Sequence, residues 1–98
     1  MKENDVLLFK LVTNEEIIAK IVDLGTDIIA LDETVAVVYQ QSDKGLSSGF
    51  APFMPHSDGT VKLSRSAIVG IGNVHPEVLK NYNILFSNIV VPNSKIVV

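Results

Sequence analysis

Between Val6 and Val74 the apolar residues come as short runs or in alternation, and no run takes the three-and-four spacing of a helix. That excludes a parallel sheet, whose strands need long crossovers, usually helical. VLLFKLV, 6 to 12, is continuous enough to be covered on both faces. TNEE, 13 to 16, is a polar tight turn. In IIAKIV, 17 to 22, alternation puts Ile17, Ala19 and Ile21 on one face and Lys20 on the other. DLGTD, 23 to 27, turns the chain, with Gly25 free to take a positive φ. Residues 28 to 31 and 35 to 41 form one long bent strand, interrupted by a bulge near Asp32.

SDKGLSSG, 42 to 49, reads as a flexible loop, and Pro52 and Pro55 confine GFAPFMP to an edge or a loop. HSDGT, 56 to 60, is a second turn, followed by VKL, SRSA and the strand IVGIGNV, 68 to 74. Gly70 and Gly72 inside that strand imply a bend or a close backbone approach. After His75 the period changes. Pro76 suits a first helical position, Glu77 the first turn, and Val78, Tyr82, Leu85 and Ile89 make one helical stripe. The expectation is one mainly β domain over 1–98: a small, strongly bent, antiparallel five-stranded barrel at about 6–74, a C-terminal helix at about 76–88 and an apolar tail at 89–98.

Of the 98 residues, 47% are hydrophobic, and a domain this small buries a reduced share of its surface. The apolar surplus points to a partner surface, so a homo-oligomer is expected. No apolar run approaches the ~20 residues that span a bilayer, so no membrane partner is expected. MKENDVLLFK places acidic and polar residues where a secretory leader carries a basic region. Without cysteine there is no disulfide framework or thiolate zinc site, and a cytoplasmic setting is expected. The net charge of −3 carries no basic stripe of the kind that binds a phosphate backbone strongly.

Constellations for chemistry are missing. His56, Ser57 and Asp58 have the residue types of a hydrolytic triad but are adjacent, whereas triads are assembled from distant positions. The pairs Glu15–Glu16 and Asp32–Glu33 fall at a turn and a bulge, where solvent keeps carboxylates ordinary. GIGNVHP does not open a helix after a strand as a phosphate loop does. The expectation is a non-enzymatic protein without metal or cofactor.

The apolar spacings resemble the Sm/LSm family, which includes bacterial Hfq. In IAKIVDLGTDIIALD an apolar strand ends on Asp23, Asp27 follows at the family's asparagine position, and Ile28 and Ile29 restart the strand. In LSRSAIVGI, Leu63, Ile68, Val69 and Ile71 occupy the apolar places of the second half-motif. Ser64 stands where the family's RNA-contacting arginine belongs, and Arg65, the only arginine, where its glycine belongs. The compact size and the PFMP segment are compatible with short Sm-like proteins of phages.

The resemblance implies a ring of about five to seven subunits that closes on itself through heterologous interfaces. It also implies pore-side turns that contact single-stranded RNA, in a prokaryotic or phage-infected cell. On that basis Asp23, Asp27, Ser64 and Arg65 are the RNA-site candidates, with Arg65 as stacking or phosphate-binding cation. Arg65 in a surface salt bridge, for instance to Asp23, is the other reading, as are Asp23 and Asp27 as plain turn residues. Ile68, Val69 and Ile71 are candidates for the subunit edge, and Phe50, Phe53 and Met54 for partner docking or for packing under the rim. The rival function is a protein–protein assembly module on the same scaffold that binds no RNA.

Overall fold

A computed structural model describes residues 1–90, with side chains through residue 87. Six antiparallel strands form one sheet, followed by one helix. The strands are β1 (Val6–Leu11), β2 (Glu16–Leu24), β3 (Ile28–Ser42), β4 (Gly45–Pro52), β5 (Val61–Ser64) and β6 (Ile68–Asn73); the helix is α1 (Pro76–Val90). The order across the sheet is β4-β3-β2-β1-β6, with β5 pairing the first part of β3.

Strand β1 explains its own continuous hydrophobicity, because both faces are covered. Leu7, Phe9 and Leu11 join Ile17, Ala19 and Ile21 of β2 and Ile29 and Leu31 of β3 in one buried cluster. Leu63 of β5 and Ile68 of β6, from opposite margins of the sheet, pack against that same cluster, so the sheet wraps around it. On the other face Val6 and Leu8 lie with Ile18, Val35 and Phe50 beneath α1, which contributes Val78, Leu79, Tyr82 and Phe86. Full burial of each large apolar side chain contributes about 1.5–3 kcal/mol. The one ion pair among the described residues, Lys10 Nζ to Glu16 Oε2 at 3.5 Å, is partly exposed and contributes about 0–1 kcal/mol. Apolar burial, not charge, holds this fold.

The bulge expected near Asp32 is present one residue later. Between Ile18↔Val35 and Lys20↔Asp32, β3 advances one residue more than β2, and Glu33 takes φ 51°. A second shift between Ile21 and Asp23, with β2 advancing more, restores the register. The bend lets β3 pair β5 through Ile28–Leu31 and β4 through Val35–Ser42, both on the side away from β2.

Three expectations need adjusting. The sheet has six strands rather than five, because residues 45–52 are strand β4 and not a continuation of a flexible loop. Ser42 and Gly45 are cross-strand partners around a two-residue turn, with Gly45 at φ 106°. The Ser42 hydroxyl donates to Gly45 O at 3.2 Å and accepts from the Lys44 N–H at 3.3 Å. Polar residues make this arm because its ladder to β3 needs no burial. Pro52 lies at the end of that strand, which is an edge, as its missing N–H requires. The sheet is also not closed as a barrel: among the described residues no ladder joins β4 or β5 to β6, and a 3₁₀ turn at Arg65–Ala67 carries the chain between β5 and β6. Finally, α1 turns Leu79, Tyr82 and Phe86 inward with Val78, while Leu85 is 43% exposed, so the stripe sits about one residue from its expected line. The Ile89 side chain and residues 91–98 of the expected tail lie outside the described residues.

Helix α1 starts where Pro76 suggested. His75 caps it, its Nδ1 accepting the Glu77 N–H at 3.2 Å and its carbonyl accepting from Leu79 at 2.8 Å. Tyr82 then anchors the helix to the sheet: its hydroxyl donates to the Glu33 carbonyl at the bulge at 2.6 Å, and its ring meets Phe50 edge-on and Phe86 at a tilt. No described helix is long and apolar enough to cross a membrane.

Candidate functional site

Residues 23–27 and 64–66 are 40 positions apart yet form one joined surface. The β2–β3 turn closes on itself through the Gly25 N–H, which donates to Ile28 O at 2.9 Å. The Arg65 N–H donates to Asp27 O at 2.8 Å, and Arg65 Nε donates to Gly25 O at 2.7 Å. Ser64 caps the 3₁₀ turn, its hydroxyl accepting from Ser66 N at 3.3 Å and sharing a hydrogen bond with the Ser66 hydroxyl at 2.8 Å. Arg65 therefore braces the neighbouring turn through its main chain and its Nε. It forms no ion pair among the described residues, with Asp23 or any other acid, and its side chain is exposed. The guanidinium can still offer its outer N–H groups to an anion.

Gly25 does not have the positive φ expected of it; Gly45 and Gly59 do. Glycine is needed at 25 because a Cβ there would stand 2.5 Å from Ile28 O, the same oxygen that accepts the Gly25 N–H. Gly25→Ala is expected to open this turn at a cost of about 1–3 kcal/mol, as for overpacking elsewhere. The Arg65 anchor should loosen with it. Urea unfolding together with hydrogen exchange at the Arg65 amide checks this; unchanged stability and protection would show that the turn yields without loss.

An open depression of about 390 Å³ lies against the joined turns, lined by Asp23, Gly25, Thr26, Asp27, Ile28, Ala30 and Lys62. The Asp23 and Asp27 carboxylates accept no hydrogen bond among the described residues, so both are available to a ligand's donors. Lys62 was not among the sequence candidates. Alternation in VKLS marks it as exposed, but only the β2–β3 and β3–β5 registers together, with Ala30 opposite both, place it in one row with Asp23, two strands away.

The candidate interface residues divide. Val69 and Ile71 are 64% and 50% exposed on β6, an edge strand, and Val69 is the extra residue of a bulge opposite Lys10–Leu11. Ile68 and Phe53 pack partly against the inner cluster, and Phe50 packs under the helix against Tyr82. Of the PFMP segment only Met54 is a large exposed side chain. His56, Ser57 and Asp58 lie in the turn after β4, where Ser57 N–H donates to Met54 O at 3.0 Å, and no hydrogen bond links their side chains among the described residues. No family model matches the chain, and no curated protein matches it.

Proposed function

We propose that this chain is a subunit of a closed Sm-like ring of about five to seven copies that holds single-stranded RNA at the joined turns and performs no chemistry of its own. The carrying observation is that the two segments an Sm-type pattern would use, 23–27 and 64–66, are hydrogen-bonded to each other through Arg65. Residues from both margins of the sheet meeting on one core support the barrel-like reading of the fold. Open edges at β4 and β5 on one margin and β6 on the other support a head-to-tail contact between copies, with Val69 and Ile71 as its apolar part. Arg65 supplies the outer N–H groups of its guanidinium to a phosphate or a base face.

A protein–protein assembly module without RNA is the second reading. The Asp23 and Asp27 carboxylates on the same surface favour it, since both repel phosphate, and so does exposed Met54. Native mass spectrometry on protein purified without nuclease separates the readings. A closed oligomer carrying nucleotide mass is expected; a clean one selects the assembly module, and a monomer refutes both. Arg65→Ala is expected to weaken binding to a short RNA at low salt by about tenfold while leaving the oligomer mass unchanged, one charge-assisted contact having been lost.

A further inference from the structure

Asp23 on β2, Ala30 on β3 and Lys62 on β5 are successive cross-strand partners. Directly opposed residues share a face, so the three form one row across the sheet. The next row, Leu24, Ile29 and Leu63, points the other way into the inner cluster. A carboxylate and an ammonium group thus flank a small residue, on strands roughly 10 Å apart, or two strand spacings. They form no ion pair among the described residues. Ala30 leaves the space between them open, Ile28 adds an exposed apolar surface beside it, and the Gly25–Thr26–Asp27 turn forms a wall.

A ligand that fits this row needs a flat body for Ala30 and Ile28, hydrogen-bond donors at one edge and acceptors at the other. We propose that the depression selects guanine in single-stranded RNA, with the base N1–H and N2 amino group donating to Asp23 and Lys62 donating to O6 and N7. The inference rests on the RNA reading above and narrows it to one base. Uracil offers a single N–H between two carbonyls, and adenine and cytosine each set an acceptor nitrogen beside their amino group, so each would turn a lone pair toward the carboxylate. Guanine places two donors side by side and carries O6 and N7 as adjacent acceptors. Both contacts are charge-assisted, which strengthens them relative to neutral pairs.

Fluorescence anisotropy at low salt tests this with short labelled RNAs of alternating uridine and guanosine, of uridine alone and of adenosine alone. A fourth RNA replaces guanosine by inosine, which lacks the N2 amino group. The guanosine-containing RNA is expected to bind at least about tenfold more tightly than uridine or adenosine alone, the size of a good bidentate base contact. Inosine should forfeit much of that advantage. Asp23→Ala and Lys62→Ala should each cancel the preference, bringing the guanosine and uridine RNAs within about twofold of one another on the same variant, while the urea unfolding curve stays unchanged because both side chains are exposed and outside the core. Equal affinity for all four RNAs, or inosine binding as well as guanosine, overturns the guanine assignment and leaves the RNA reading standing. Failure of every RNA to bind overturns both.

Discussion

Replacing Tyr82 by alanine is expected to detach helix α1 and to cost about 3–5 kcal/mol, the range for deleting a large buried aromatic side chain. Tyr82 is 1% exposed, meets Phe50 edge-on and Phe86 at a tilt, and spans the gap between helix and sheet. Far-ultraviolet circular dichroism should lose its helical component well before the strand signal as urea rises. Retention of the helix through a single unchanged transition would show that Val78, Leu79 and Phe86 suffice to hold it. Tyr82→Phe isolates the hydroxyl: it keeps the ring but leaves the Glu33 carbonyl without its donor, at a cost of about 1–2 kcal/mol.

The same hydroxyl makes stability sensitive to alkali. Burial, then the neighbouring Glu33 and Asp32 carboxylates, pushes the Tyr82 pKa far above the ordinary tyrosine value. The protonated phenol is the form the fold stabilises, so its contribution is complete below about pH 10, the unfolded pKa, and declines as pH rises beyond it. Tyr82→Phe should flatten that alkaline decline. Equal alkaline sensitivity in both proteins would assign it to another group, Tyr39 being the one whose phenol, bonded to the Glu16 carboxylate at 2.7 Å, is also raised.

Phe9→Ala is the second large effect, also about 3–5 kcal/mol, but of a different kind. Phe9 is fully buried in the inner cluster and lies on β1 between Ile17 of β2 and Ile71 of β6. No part of the sheet can let go of it separately. Helix and strand signals should therefore fall together at a lower urea concentration, in one transition. Separate transitions in this variant would place the cooperative unit elsewhere. Both variants need comparison at one protein concentration, because the stability of any self-associating chain depends on it.

Much of the sheet was legible in the chain because burial imposes period two. Ile17, Ala19 and Ile21 face the inner cluster, VLLFKL is covered on both faces, and the interruption at DET is a bulge. Strand β4 escaped because hydropathy reports burial, and Leu46–Ser47–Ser48 is held by main-chain pairing to Tyr39–Gln41 with little burial. The helix was recognisable from Pro76 and its period, while the choice of Phe86 over Leu85 goes with the cluster beneath the helix, where Phe86 packs with Tyr82, Ile18 and Val35. For the candidate site, the first turn was visible in Asp23, Gly25 and Asp27 and the second in Ser64 and Arg65. Lys62 was not, since its place in one row with Asp23 is set by two registers, one of them shifted by bulges. The role of Gly25 was misjudged for a similar reason: the obstacle is an oxygen on a later residue, not its own φ.

Strand β1 lies between β2 and β6 in the sheet order, and this has a consequence during synthesis. Its first partner follows after a four-residue turn, but its second leaves the ribosome roughly sixty residues later, about 3–12 s at 5–20 residues per second. For that interval VLLFKL has one flank of main-chain N–H and C=O groups unpaired and part of its apolar surface uncovered. During that interval β1 offers its unpaired flank to a chaperone or to a neighbouring nascent copy.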